Sequence, residues 1–358
     1  MLFLLFGFGK VPEPGESEKA STTFSIIVPF RNEAENLPAL LSSLKELSYP
    51  KDLFQVILVN DASEDSSIKI CNDLIADTPE MQVKLVNSLE RTGSPKKDAV
   101  ETGIGVAHFD YILTTDADCL VPRDWLLAYN TIILQTAADM VSGPVAIRNG
   151  NSMLSRFQEI DFFSLQTATI GAFGIDNPFM CNGANLCYRK KVFLQVQGFE
   201  GNEKIASGDD IFLLEKIKAA GGKTAFLKDP AAIVITKPQD NLHKLFMQRI
   251  RWAAKTTAYS SLFPKLIGIS VFLMNLSIVV GVLLWIMGVN IKQPLLLAFL
   301  VKFNIDFILI YRGAHFFGSE HSMKNYIWAS ALYPFFCSAV VVLSGLSGFQ
   351  WKGRNFRK

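Results

Sequence analysis

Residues 262–290 form an apolar run of a length that few folds accommodate. About 20 consecutive apolar residues are enough to cross the hydrocarbon core of a bilayer, and this run is too long for an ordinary core helix. Residues 326–349 form a second long run. Residues 294–311 form a weaker run, because polar residues interrupt it. For this run a buried core helix remains an alternative to a membrane span. The sequence therefore predicts a region of two to three membrane spans with a basic tail over residues 262–358.

Charge balance and cysteine spacing argue against two other classes of protein. The chain has 35 basic and 33 acidic residues, which give a net charge of +2. A nucleic-acid-binding protein needs a basic patch that neutralises phosphates, so no nucleic-acid partner is expected. The five cysteines include no C-x-x-C pair. Neither a zinc site nor a disulfide framework is indicated, and a reducing compartment fits best.

The termini and the loops give a partial orientation. Residues 1–23 are predicted to be a short apolar stub and a linker. A signal peptide is not indicated, because the stub lacks the basic region that precedes the apolar part of such peptides. Lys255 and Lys265 before the first span, with Arg312 and Lys324 before the third, favour a multi-pass protein of the cell membrane whose soluble domain is cytoplasmic. Basic residues near membrane spans are usually cytoplasmic. Three spans would place the basic tail on the outer side, so the number of spans stays open.

Residues 24–238 alternate short apolar runs with amphipathic stretches. Strands are predicted over residues 24–30, 54–60, 82–87 and 110–115, and helices over residues 34–47 and 95–108. This order predicts an α/β domain with a parallel sheet. Residues 239–261 are predicted to be an amphipathic interface helix that leads into the first span.

Two aspartates one residue apart, Asp116 and Asp118, follow the fourth predicted strand. Like charges this close repel each other, so a positive group is expected beside them unless both face water. Asp61 ends the second strand at the same edge of the sheet, where open α/β sheets bind their ligands. Carboxylates together with substrate phosphates are ligands that suit Mg²⁺ or Mn²⁺. The pattern predicts a cation site, with a solvated turn as the alternative.

Three further groups of residues have both a functional and a structural interpretation. Lys96 opens a helix, where its charge would suit a diphosphate, although a solvated lysine is equally compatible. Asp209 and Asp210 open another helix, either as helix-start residues or with one carboxylate as a general base.

The third group is the segment QRIRW, residues 248–252. Arg249 and Arg251 would hold phosphate and Trp252 would stack on a sugar ring; the alternative is a basic and aromatic belt at the membrane interface.

The order of the motifs is more specific than any one of them. The motifs VPFRNEAENL, VNDASED, PKKDAV, TTDADC, GANLCYRK, SGDD and QRIRW follow one another over residues 24–260. Together they resemble the membrane-bound branch of glycosyltransferase family 2, which includes cellulose, hyaluronan and poly-N-acetylglucosamine synthases. The resemblance implies a GT-A fold and a nucleotide-sugar donor, usually a UDP-sugar.

The resemblance also implies roles for the acidic residues and the lysine at the sheet edge. Asp61 and Lys96 would contact the nucleotide or its diphosphate. Asp116 would help to hold the nucleotide and the metal, and Asp118 would ligate Mg²⁺ or Mn²⁺. The second strand of the family usually ends in a pair of aspartates, whereas this chain has Asn60 before Asp61.

The remaining implied roles concern the acceptor side of the reaction. SGDD resembles the T-E-D motif of the family, so Asp210 would be the general base, with Asp209 in place of the usual glutamate. Gln248, Arg251 and Trp252 would close over the donor diphosphate and the acceptor.

The expected function is that of a membrane-bound, inverting glycosyltransferase that transfers a sugar to a lipid or polysaccharide acceptor. Transfer of one sugar to a lipid carrier, rather than polymer synthesis, stays open. A non-catalytic regulator that binds a nucleotide-sugar and a nucleotidyltransferase are the alternatives from other classes.

Overall fold

The structure is a computed structural model, and two compact units make up the chain. It describes residues 2–16, 18–148, 150–203, 207–255, 259, 261–346, 349–351 and 354–356. One unit, here called the sheet unit, comprises Gly7–Ile147 and Thr169–Lys237. The other, the helical unit, comprises Met1–Phe6, Arg148–Ala168 and Pro238–Lys358. The helical unit thus includes residues 148–168, which the sequence analysis assigned to the α/β domain.

Helices occur throughout the described residues. They are α1 (Leu2–Lys10), α2 (Leu37–Lys45), α3 (Ser67–Asp77), α4 (Pro95–Val106), α5 (Trp125–Thr136), α6 (Met153–Gly174), α7 (Lys190–Gln195), α8 (Asp209–Ala219), α9 (Leu242–Ala254), α10 (Leu262–Ile286), α11 (Lys292–Phe316) and α12 (Tyr326–Leu346).

The strands are shorter than the helices. They are β1 (Phe24–Phe30), β2 (Phe54–Asn60), β3 (Val83–Asn87), β4 (Tyr111–Thr114), β5 (Met140–Ser142), β6 (Val145–Ile147), β7 (Leu186–Arg189), β8 (Thr224–Phe226), β9 (Val234–Thr236), β10 (Phe349–Trp351) and β11 (Arg354–Phe356).

A seven-stranded sheet is the framework of the sheet unit. Its order is β3-β2-β1-β4-β7-β5-β8. The first four strands are parallel, as their alternation with helices predicts. The carboxyl ends of β2 and β4 therefore lie at one edge, with β1 between them. Beyond these four strands the sheet is mixed, because β7, which was not predicted from the sequence, is antiparallel to both β4 and β5.

The core of the sheet unit explains why these runs become strands. All seven residues of β2 are buried, as are six of the seven in β1, which is the burial expected of strands that are covered on both faces. The buried side chain of Asn185 fixes the region beside β7. It accepts hydrogen bonds from Trp125 Nε1 and the Tyr129 hydroxyl, each at 2.8 Å, and donates to the carbonyls of Pro144 and Ala232. A polar side chain that is satisfied in this way ties several segments together at one point.

Among the described residues of the helical unit, three helices are long and apolar enough to cross a membrane. By length and composition these are α10, α11 and the segment Glu320–Leu346, which includes α12. The weaker run, predicted over residues 294–311, lies within α11. This helix extends further in both directions, and it is a candidate span like the other two. Of the basic tail, four residues (352, 353, 357 and 358) lie outside the described residues.

Candidate active site

A lysine bridges two of the predicted acidic groups at the edge of the sheet. The Nζ atom of Lys96, at the start of α4, lies 2.7 Å from Asp116 Oδ1, just after β4. It also lies 3.4 Å from Asp209 Oδ2, at the start of α8. Lys96 is therefore the positive group that the closely spaced aspartates require. Three segments that are distant in sequence meet at this one ammonium group.

Electrostatics keep this lysine charged. Burial alone would lower the pKa of Lys96, but the negative charges of Asp116 and Asp209 outweigh that effect, so that the pKa is raised above its usual range. A raised pKa in the folded state means that the stabilisation is complete below the unfolded pKa of about 10.4 and is lost only as the pH rises through the folded value. The ammonium group is thus a permanent cation at neutral pH.

Asp118 lies in a tight turn after β4. The backbone N–H of Cys119 donates to the carbonyl of Asp116 at 3.1 Å, which closes the turn. Reciprocal backbone hydrogen bonds between Leu120 and Ile235 hold its far side. The turn brings the two carboxylates to the same edge. Among the described residues, no group of three or more His, Cys, Asp or Glu side chains is arranged to hold a metal ion.

The two aspartates of α8 have different partners. Gly208 precedes them with a φ of 89°, a conformation that favours glycine, and it starts the helix so that both carboxylates lie in its first turn. Asp209 forms the ion pair with Lys96, whereas Asp210 accepts hydrogen bonds from the backbone N–H groups of Gly183 at 3.3 Å and of Ile211 at 2.8 Å. The carboxylate of Asp209 is thus neutralised by a cation, and that of Asp210 is held by backbone donors.

Gly183 is a residue of the cluster that the sequence analysis did not single out. A Cβ atom at this position would lie 3.1 Å from Asp209 Oδ2 and 3.4 Å from Lys96 Nζ. Its carbonyl accepts a hydrogen bond from Thr114 Oγ1 at 2.7 Å. The sequence signal that could have identified Gly183 is the glycine of the GANLCYRK motif. Its proximity to α8 depends on the antiparallel strand β7.

Asp61 lies at the same edge of the sheet, directly after β2. It is buried, and its carbonyl accepts a hydrogen bond from Arg31 Nη1 at 3.0 Å. The preceding Asn60 donates to Asn87 Oδ1 at 2.9 Å and caps the turn by accepting from the backbone N–H of Ser63. The turn that follows β2 is thus held by neighbouring strands.

The segment QRIRW lies on α9, in the helical unit. Arg249 is buried, with 6% of its side chain exposed, and pairs with Asp161 of α6, which is 4% exposed. Its Nε and Nη2 atoms lie 2.8 Å and 2.7 Å from Asp161 Oδ2. Its Nη1 donates to the side chain of Gln248, and its guanidinium lies 4.3 Å from the centre of the Trp252 ring. Asp161 therefore organises the segment through Arg249.

Asp161 is the second residue that the sequence analysis did not identify. The only available signal was an acidic residue in the otherwise apolar stretch IDFF, because the pairing with α9 is 88 residues away in sequence. Each unit thus gathers part of the predicted site. Lys96, Asp116, Asp209 and Asp210 meet in the sheet unit, and the helical unit brings Gln248, Arg249 and Trp252 together.

Removing the bridging charge should destabilise the sheet unit. In Lys96→Met, Asp116 and Asp209 would lose their shared cation, and we expect the free energy of unfolding to fall by about 1–3 kcal/mol. The thermal midpoint of the detergent-solubilised protein, measured at low salt, checks this. Lys96→Arg, which keeps the charge, and Lys191→Met, at an exposed surface position, are the controls. An unchanged midpoint in Lys96→Met would contradict the bridging role.

The α/β sheet with its charged edge and the apolar helices of the C-terminal region are the architecture that the order of the motifs implied, a GT-A domain followed by helices that could cross a membrane. The family profile of glycosyl transferase family 21 matches residues 5–357. The chain therefore belongs to glycosyl transferase family 21.

Relatives and a solved structure agree with this class. The glycosyltransferase AglE of Haloferax volcanii is 22% identical over 62% of this chain and 69% of its own length. The poly-β-1,6-N-acetyl-D-glucosamine synthase of Staphylococcus aureus is 28% identical over 69% of this chain but only 57% of its own length. The mannosyltransferase PcManGT from Pyrobaculum calidifontis, solved with GDP-Man and Mn²⁺, has a TM-score of 0.60 at 17% identity, covering 96% of this chain and 94% of its own.

These comparisons confirm two predictions from the sequence. The resemblance to membrane-bound synthases is confirmed because a poly-N-acetylglucosamine synthase is among the relatives. The predicted fold, a GT-A domain followed by apolar helices that could cross a membrane, is confirmed by the similarity to PcManGT.

Proposed function

We propose that this chain is a membrane-bound, inverting glycosyltransferase that moves a sugar from a nucleotide-sugar to a lipid or polysaccharide acceptor. The observation that carries the proposal is the cluster of Lys96, Asp116 and Asp209 at the sheet edge, with Asp210 beside it. A fixed cation can bind a diphosphate, and a carboxylate beside it can accept a proton. The cluster therefore offers both functions in one place.

Lys96 is the proposed diphosphate-binding residue. It stands at the start of α4, where exposed backbone N–H groups and the helix dipole also favour an anion. When the donor diphosphate binds, the ammonium group would exchange part of its contact with Asp116 for phosphate oxygens. Asp61, at the end of the neighbouring strand β2, is the proposed contact for the nucleoside. A UDP-sugar is the donor that the motifs favour.

Asp118 is the proposed ligand of Mg²⁺ or Mn²⁺, with Asp116 as its support. The donor set fits a hard cation, because such ions are commonly held by one or two carboxylates together with substrate phosphates. Two carboxylates in one turn therefore suffice without a third protein ligand. When bound, the ion would supply neutralisation of the charge that develops on the leaving nucleoside diphosphate.

Asp210 is the proposed general base. An acceptor hydroxyl would lose its proton to the Asp210 carboxylate as its oxygen attacks the anomeric carbon from the face opposite the diphosphate. The bond to the diphosphate oxygen breaks in the same step, so that an α-linked donor gives a β-linked product. Asp209 is less suited to this role because its carboxylate is engaged in the ion pair with Lys96.

The segment QRIRW is proposed to bind the donor diphosphate and the acceptor through Gln248, Arg251 and Trp252. For Arg249 we propose a positioning role in place of the phosphate contact inferred from the sequence. Its buried guanidinium is engaged by Asp161 and lies against Trp252. It therefore orients the tryptophan, while Arg251, on the same helix, provides the charge for phosphate.

The membrane location is proposed from α10, α11 and α12, with the sheet unit on the cytoplasmic side. Nucleotide-sugars are charged molecules that do not cross a bilayer unaided, so an active site in the cytoplasm has direct access to the donor. The basic residues that flank the spans support the same orientation.

Release of nucleoside diphosphate tests the proposal. Detergent-solubilised protein is incubated with membrane lipids, Mn²⁺ or Mg²⁺, and a panel of UDP- and GDP-sugars. We expect metal-dependent release with one donor, and a loss of more than a hundredfold in Asp118→Ala. Asp124→Ala, at an exposed aspartate six residues further on, is the matched control and should retain full release. The anomeric configuration of the product, read by NMR, tests inversion.

Other outcomes of the same assay identify the alternatives. Product length on a gel separates polymer synthesis from transfer of one sugar. Tight donor binding without turnover, with every acceptor fraction supplied, would contradict the enzyme and favour a regulator. Pyrophosphate release from a nucleoside triphosphate would favour a nucleotidyltransferase.

A further inference from the structure

The last residue of β4, Thr114, has a buried hydroxyl group. All four residues of β4 are buried, and Thr114 is 7% exposed. Valine has the same branched shape and suits a strand equally well, so packing alone does not require a threonine here. A hydroxyl group that leaves water without gaining a hydrogen bond is costly. The hydroxyl of Thr114 is therefore expected to have a specific partner.

That partner is the backbone of Gly183, in the segment that precedes β7. Thr114 Oγ1 donates to the carbonyl oxygen of Gly183 at 2.7 Å and lies 3.4 Å from that of Leu186. Gly183 begins a single 3₁₀ turn, Gly183–Asn185, which the side chain of Asn182 caps. The turn is thus fixed both by its own cap and by the end of β4.

The same glycine connects to the acidic pair of α8. Its backbone N–H donates to Asp210 Oδ2 at 3.3 Å. A second backbone donor to this carboxylate, Ile211, belongs to α8 itself. The hydrogen bond from Gly183 therefore links the Asp210 carboxylate to the sheet, whereas the one from Ile211 is local to the helix.

Gly183 depends on its neighbours for its orientation. A glycine has more backbone freedom than any other residue, and no side chain directs its N–H or its carbonyl. A Cβ atom here would come within 3.1 Å of Asp209 Oδ2, so the charged cluster itself disfavours a side chain that would restrict the backbone. The hydrogen bond from Thr114 supplies this restriction from outside. It fixes the direction of the Gly183 carbonyl and, through the shared Cα atom, that of the N–H.

We propose that Thr114 is a positioning residue for the general base, because it sets the place of the Asp210 carboxylate through Gly183. The inference rests on the proposed function, which gives Asp210 its role as base. The link runs from the end of β4 through the turn before β7 to the start of α8. Asp116 follows Thr114 by two residues, so the segment that carries the proposed metal site also holds the proton acceptor in place.

Replacement of Thr114 by valine tests the role, because valine keeps the shape and removes the hydroxyl. With the donor identified in the release assay, we expect turnover to fall about ten- to a hundredfold, the effect of a misplacement of about 1 Å. The KM for the donor should stay unchanged, because the donor contacts are proposed to lie at Lys96 and Asp118. Thr114→Ser keeps the hydroxyl and should restore most of the turnover.

The neighbouring threonine provides a matched control. Thr115 is 0% exposed, and its hydroxyl has no hydrogen-bond partner among the residues that the structure describes. Thr115→Val therefore makes the same replacement one position further on without removing a hydrogen bond. It should leave both turnover and KM unchanged. The thermal midpoint of each variant shows whether it is folded.

Amide hydrogen exchange of residues 182–186 tests the link independently of activity. It is followed by mass spectrometry on the full chain in detergent, without any nucleotide-sugar. We expect exchange about two- to tenfold faster in Thr114→Val, the effect of one lost hydrogen bond. Exchange in Thr114→Ser and Thr115→Val should stay close to that of the unmodified protein.

The possible failures are distinguishable. Unchanged exchange in Thr114→Val, unchanged turnover in that variant, or an equal loss of turnover in Thr114→Ser would each overturn the inference and leave the proposed function intact. An unmodified protein that releases no nucleoside diphosphate from any donor would contradict the proposed function, and with it the role of Asp210 as base. The exchange experiment would then still decide whether Thr114 holds the turn.

Discussion

Replacement of Asp210 by asparagine is expected to lower the turnover number by about a hundred- to ten-thousandfold, the range over which a general base contributes. Asparagine keeps the size of the side chain and one oxygen that can accept from the backbone N–H of Gly183, so the first turn of α8 should stay intact. Only the ability to take a proton is lost. The KM for the donor should change little, because the donor contacts are proposed to lie at Lys96 and Asp118.

The comparison with Asp209→Asn makes this prediction specific. Asp209 pairs with Lys96, so its replacement should weaken donor binding and raise the KM, with a smaller effect on turnover. Steady-state kinetics with the donor identified in the release assay, together with the thermal midpoint of each variant, measure both effects. If Asp209→Asn lost turnover and Asp210→Asn retained it, the two roles would have to be exchanged.

Replacing one partner of the buried pair Asp161 and Arg249 is expected to have the largest effect on the free energy of unfolding. Asp161→Leu leaves a guanidinium buried without its carboxylate, which costs about 3–5 kcal/mol in comparable pairs. Replacing both residues, in Asp161→Leu/Arg249→Met, removes the uncompensated charge. We therefore expect the thermal midpoint to fall steeply in the single variant and to recover in the double variant, since apolar pairs of similar volume often match a buried ion pair.

Kinetics of the double variant distinguish positioning from mere structural support. If the pair positions Gln248 and Trp252, the double variant should be stable but should show a KM for donor or acceptor raised about tenfold, with a smaller change in turnover. Leu273→Met, an apolar replacement at an exposed position of α10, is the control for the introduced methionine. Normal kinetics in the stable double variant would show that the pair has no functional role.

Local pattern was sufficient for several elements of the fold. The strands β1 and β2 begin and end where their apolar runs do. A short continuous apolar run is typical of a strand that is buried on both faces of a sheet. The membrane candidates were equally evident, since only length and apolar composition decide whether a helix can span a bilayer. Helix ends were less accurate. The helix predicted over residues 34–47 begins at Leu37, because the preceding turn donates backbone hydrogen bonds to Asp65, in the loop after β2, and to Ser67, the first residue of α3.

The sequence by itself determined which residue types are available at the sheet edge: two closely spaced aspartates after β4, a lysine at the start of α4 and an acidic pair at the start of α8. It also predicted a positive group beside the aspartates unless both face water, because like charges at that spacing repel. Only the tertiary structure decided that Lys96 is that group, that Asp209 also pairs with it and that the Asp210 carboxylate accepts hydrogen bonds from backbone N–H groups. The same holds for Asp161 and Arg249. Charge interactions depend on distance in space, and no local pattern encodes the distance between residues that lie tens of positions apart in the chain.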